Sequence, residues 1–90
     1  MAKRRELKKA INFLCGELFA ESVAITLYQK SVKQEEADQV MTRILNLQDD
    51  MLRRVSHPEP GMKARAYFDH LRADLEREAE EIVTQIQGLL

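Results

Sequence analysis

Three observations predict an all-α fold, an up-down-up antiparallel bundle of three helices. Apolar residues recur at helical spacing in three long stretches. The composition favours Leu, Ala, Glu, Lys and Arg, with only three Gly and two Pro in 90 residues. Breaks in the pattern fall at two places, around residues 29–33 and 56–61. The length suits a single domain, residues 1–90, which can fold alone but buries a limited share of its surface, so pairing into a larger helical bundle would add stability.

The first helix is expected from about Lys3 to Lys30, roughly 42 Å long at 1.5 Å per residue. Winding at 100° per residue places Leu7, Ile11, Leu14, Leu18 and Ile25 within an arc of about 60°, the core stripe of an amphipathic helix. Cys15, Phe19 and Val23 continue round it, followed by Leu27, Ala20 and Phe13, so apolar groups cover well over half of the circumference. Glu17 and Glu21 are the clear interruptions. Two helices of the same chain can cover one side, and a second copy is the simplest cover for the other. A homodimer is therefore expected, with Phe13, Glu17, Phe19, Ala20, Val23, Ala24 and Leu27 at its interface.

The second helix is expected over about 32–55. Ser31 and Gln34 have the spacing of a capping box, and Glu35, Glu36 and Asp38 suit the positive end of the helix dipole. Ala37, Val40, Met41, Ile44, Leu45, Leu47, Met51, Leu52 and Val55 fill its apolar arc. Arg53 and Arg54 complement the other end of the dipole, and the prolines of SHPEPG stop the helix. A third helix follows over about 62–89, with Ala64, Phe68, Leu71, Leu75, Ala79, Ile82, Val83, Ile86 and Leu89 on one face. Asp74, Arg77, Glu80, Glu81 and Thr84 are placed away from it. Short connections between long helices make neighbours antiparallel.

The segments ELFAE and RVSHPEPGMKARAYF, with the spacing between them, resemble a family of short uncharacterised helical proteins from bacteria. That resemblance covers most of the chain and implies a bacterial, cytoplasmic context. It brings no activity, cofactor or site residue with it.

The expected topology gathers charge that is scattered along the chain. Lys3, Arg4, Arg5, Lys8, Lys9, Arg53, Arg54, Lys63 and Arg65 come to one end, nine of the fourteen basic residues. Glu35, Glu36, Asp38, Glu76, Glu78, Glu80 and Glu81 come to the other. A net charge of −1 thus conceals a strongly dipolar molecule. The basic end, at Arg4, Arg5, Lys8, Lys9, Arg53, Arg54, Lys63 and Arg65, is a candidate for binding phosphate groups of nucleic acid or another anion. Glu6, Asp49, Asp50, Glu59 and Asp69 dilute it, and the helices are too long and too widely joined for a helix-turn-helix.

Candidate chemistry is sparse. Glu17 and Glu21 share a face, but a di-metal bundle site also needs Glu-x-x-His pairs, and neither His57 nor His70 supplies one. Cys15 and His70 fall at similar heights on their helices, yet the thiol belongs to the apolar wrap and the imidazole to the polar side. Chorismate mutase chemistry, known on helical dimers, needs cations inside the bundle, where this chain is apolar. No cofactor, metal or catalytic residue is expected. The basic start followed by an apolar run ending in Cys15 does not read as a secretion signal, since Glu17 ends the run and no small residues precede the cysteine. No apolar run approaches the ~18 residues of a membrane span. The expectation is a cytoplasmic, non-enzymatic interaction or scaffold protein that works with a second copy and an unidentified protein partner, away from membranes. Nucleic-acid or anion binding is the alternative.

Overall fold

In the computed structural model, which describes Ala2–Leu90 with side chains from Arg4 onward, three helices pack against one another. They are α1 (Ala2–Tyr28), α2 (Gln34–Ser56) and α3 (Ala64–Gly88), and the molecule measures 48 × 20 × 15 Å. Cross-helix contacts establish the antiparallel order. Gln48 donates to Asn12 at 2.8 Å between α2 and α1, while Arg43 and Arg54 reach Glu81 and Asp74 on α3. The guanidinium of Arg4 lies over the Phe68 ring, 5.8 Å from its centroid, so α1 and α3 begin at the same end. The contact of α2 with α1 is the most extensive, and that of α1 with α3 is the thinnest.

A single core joins the three helices. It comprises Leu7, Ile11, Cys15 and Leu18 of α1, Val40, Ile44, Leu47, Met51 and Val55 of α2, and Tyr67, Leu71, Leu75, Ala79, Ile82 and Ile86 of α3. On α1 the buried arc is rotated from the expected one. Cys15 and Ser22 are buried, whereas Leu14 and Ile25 are half-buried against the core. Serine can take this place because its hydroxyl donates to the Leu18 carbonyl one turn back at 2.9 Å, leaving no unsatisfied polar group.

The helix ends also differ in detail from expectation. Ser31 does not cap α2: the N-cap is Lys33, in extended backbone, and no side chain bonds the first turn. Gln34 turns instead to the Asp38 carboxylate at 2.7 Å. Glu35 and Glu36 still occupy the first turn of α2, and Arg53 and Arg54 the last. On α3, Tyr67 replaces Ala64 as the first core position. Its ring packs edge-to-face on Phe68, and its hydroxyl donates to the Arg54 carbonyl at 2.9 Å. That bond satisfies one of the carbonyls orphaned where α2 ends. Asp74, expected to point away, is half-buried beside α2, and Val83 is largely outside the core.

Shortening a side chain inside this core leaves a cavity that close-packed helices cannot refill. Ile44→Ala is expected to lower unfolding free energy by about 2–5 kcal/mol. Its neighbour Leu45 is 51% exposed, and Leu45→Ala is expected to cost less than about 1 kcal/mol. Urea denaturation of the two variants measures the contrast.

Candidate functional site: the charged flank and the outer face of α1

The polar flank where α2 meets α3 carries most of the ion pairs among the described residues. Arg43, from the middle of α2, donates to Glu81 at 2.9 Å, to Glu78 at 3.2 Å and to Gln85 at 3.0 Å. The hydrogen bond to Glu81 raises the Arg43 pKa, partial burial opposes it, and Glu78 adds to the rise. One helical stretch further on, Arg54 donates to Asp74 at 2.9 Å, and Arg77 approaches the same carboxylate at 3.5 Å. His70 lies 3.9 Å from Asp74 with its ring in solvent. An open groove of about 260 Å³ runs between these groups, lined by Arg43, Asp50, Arg54, Asp74, Arg77 and Glu78 among others. Three cations meet three carboxylates there, so the groove has no surplus charge to offer an anion.

The candidate basic end is only partly free. Arg53 is paired with Asp49 on its own helix at 2.6 Å, Arg54 is engaged with Asp74, and Arg4 covers Phe68. Arg5, Lys8, Lys9, Lys63 and Arg65 are exposed and make no ion pair among the described residues. The side chain of Lys3 lies outside the described residues.

Glu17 and Glu21 are both exposed, and among the described residues no group of three metal-ligating side chains comes together. Cys15 is buried and His70 is 70% exposed, so the two do not form a pair. Burial raises the Cys15 thiol pKa, which opposes the thiolate form that nucleophilic chemistry needs.

The remaining feature is the outer face of α1. Among the expected interface residues, Phe13 is 71% and Leu27 72% exposed, and Glu17 and Ala20 are also in solvent. Val23 and Ala24 are half-buried, and Phe19 leans against the core from the side. Averaged over 18 residues, α1 has a mean hydropathy of 1.4, and 22% of that window is buried. By length and composition the helix could cross a membrane, which corrects the expectation that no stretch approaches a span. Unbroken apolar runs are short here because Glu17 and Glu21 interrupt them, but two carboxylates in 18 residues leave the average high. A core helix satisfies the same criterion. On this helix, however, the face opposite the core also carries large apolar side chains in solvent, Phe13 and Leu27.

Two outcomes follow from this geometry. The hydrogen bond from Arg54 holds the Asp74 carboxyl below the usual carboxylate range, burial partly opposes that shift, and the charges of His70, Arg54 and Arg77 reinforce it. A depressed native pKa contributes stability above the unfolded-state value of about 3.9, and the contribution is lost as pH falls through the lower native value. Asp74→Asn should therefore cost about 1 kcal/mol at neutral pH, with the gap from wild type closing as the pH falls below about 4 in urea titrations. Cys15, in turn, should react with a thiol reagent only at the rate at which the bundle unfolds, a rate that rises with urea. A fast reaction in the native state would contradict its burial.

Comparison with protein-family models, curated proteins and solved structures finds no match to the chain, so its function has to be read from these surfaces.

Proposed function

We propose that this chain is a non-enzymatic helical interaction module that works as a homodimer through the outer face of α1 and presents its other helix faces to a protein partner. The observation that carries this is the exposure of Phe13 and Leu27 on a face continued by Ala20, Val23 and Ala24. Contiguous apolar surface of this kind is rare on soluble monomers and marks a place where another molecule sits. Two features bear on the setting. The single cysteine is a buried free thiol, which suits the reducing cytoplasm. The polar clusters are internally neutralised, which suits a structural role better than chemistry on a substrate.

The alternative, anion or nucleic-acid binding at the basic end, draws on Arg5, Lys8, Lys9, Lys63 and Arg65, which carry no ion pair among the described residues. Its signature would be affinity that falls linearly with the logarithm of salt concentration and is lost when Arg5, Lys8 and Lys9 are neutralised together. The interaction module ranks first because the pairing of Arg53 and Arg54 thins that patch, while Phe13 and Leu27 on the outer face of α1 stand 71% and 72% exposed among the described residues.

Light scattering at low and high salt tests the proposal. Wild type is expected at twice the 10.4 kDa chain mass in both salts, because apolar burial is insensitive to screening. Phe13→Lys and Leu27→Lys are each expected to give a folded monomer. A wild type that stays monomeric at high micromolar concentration would overturn the homodimer.

A further inference from the structure

The outer face of α1 has an internal symmetry that indicates how a second copy would sit on it. Counting outward from Ala20, the residues four away are Gly16 and Ala24, and those seven away are Phe13 and Leu27. A small residue thus stands at the centre, small residues lie one turn to either side, and one large apolar residue closes each end. Such a pattern is its own complement when the helix is met by an antiparallel copy. Large side chains then meet large ones at the two ends and small residues meet small ones at the centre, a self-complementary, isologous two-fold arrangement.

Two observations support that partner and that direction. The first is Gly16. It sits mid-helix with no positive φ, and a Cβ built on it would meet nothing within 4 Å. Glycine there costs about 1 kcal/mol against alanine, and the isolated bundle offers no compensating contact. Close approach of another backbone would supply one. The second is charge. A parallel pair would set Arg4, Arg5, Lys8 and Lys9 against their own copies, whereas an antiparallel pair separates the two basic ends. It carries each of them toward the end of the partner where Glu35, Glu36 and Asp38 outnumber Lys30 and Lys33. A lipid surface is the other apolar environment to weigh. Membrane-seated helix faces use bulky side chains, however, and small residues at the centre of a face favour helix-to-helix contact.

On the reading of α1 as the interaction face, we infer that the partner is a second copy docked antiparallel, with Ala20 at the two-fold axis. Phe13 of each protomer then lies beside Leu27 of the other, and Gly16 lies beside Ala24. Glu17 and Glu21 of both chains line one rim of this seam, so pairing is tighter when Glu17 is neutralised.

Disulfide trapping in a Cys15→Ala background, with folding checked by circular dichroism, tests the arrangement. Ala20→Cys is expected to cross-link with itself on mild oxidation. Phe13→Cys and Leu27→Cys are each expected to remain uncross-linked alone and to form a mixed dimer when combined. Gly16→Ala is expected to raise the melting temperature of the diluted monomer while weakening the dimer several-fold. Self-cross-linking at both 13 and 27 would mean a parallel pair and overturn this arrangement while leaving the homodimer intact. A dimer that cross-links at none of the three positions would move the interface off this face. A monomer that co-sediments with vesicles of mixed neutral and anionic phospholipid would overturn the arrangement and the homodimer together, assigning the face to lipid.

Discussion

One apolar stripe on α2 has to serve two neighbours, and the rest of the molecule follows from that constraint. Ala37, Val40, Ile44, Leu47, Met51 and Val55 are buried along a single face of α2, and α1 and α3 crowd onto it from either side. Each neighbour can bury only the arc it turns toward this seam. For α3 that arc accounts for nearly all of its large apolar side chains, from Tyr67 to Ile86. For α1 it does not. Leu7, Ile11, Cys15, Leu18 and Ser22 are buried, Leu14, Phe19 and Ile25 are covered in part, and Phe13 and Leu27 on the far side remain in water.

Direction and register come from the polar flanks rather than from the core. Burial of aliphatic side chains supplies most of the stabilisation but tolerates sliding, because one turn of a leucine-rich stripe resembles the next. Between α2 and α3, Arg43 and Arg54 each find carboxylates at a fixed height on the facing helix, and the Tyr67 hydroxyl finishes the C-terminal turn of α2. Between α1 and α2 the corresponding polar bond is the neutral one from Gln48 to Asn12. Slipping α3 by a turn along α2 would break the charged contacts and leave partly desolvated charges unpaired, a cost well above that of an exposed ion pair.

The same arrangement explains why the charged surfaces make weaker candidates for function than the apolar one. A cation already hydrogen-bonded to a carboxylate, as at Arg43, Arg53 and Arg54, has spent most of its electrostatic reach inside the molecule. Apolar surface has no such internal outlet. Phe13 and Leu27 can leave water only by meeting another molecule, and their symmetric spacing about Ala20 is what the proposed antiparallel pairing draws on.

Helical class and the presence of three helices were determined by the sequence alone, because a 3.6-residue apolar period together with prolines at residues 58 and 60 is a local property that survives in any packing. The surplus of apolar residues on α1 was legible for the same reason. Tertiary structure decided which part of that surplus faces inward. Ser22 and Cys15 entered the core ahead of Leu14 and Ile25, since the bundle selects an arc by its contact direction, and serine can satisfy its hydroxyl on its own helix. Tyr67 is not legible as a core residue in the sequence, because its hydroxyl needs an acceptor and only the end of α2 places the Arg54 carbonyl within reach. Asp74 falls away from the apolar face of α3 by spacing, and spacing does not reveal that Arg54 stands opposite it. The gathering of basic residues at one end follows from topology, whereas Glu78 and Glu81, expected at the opposite end, meet Arg43 in the middle of α2, because side-chain heights are set only by the packed helices.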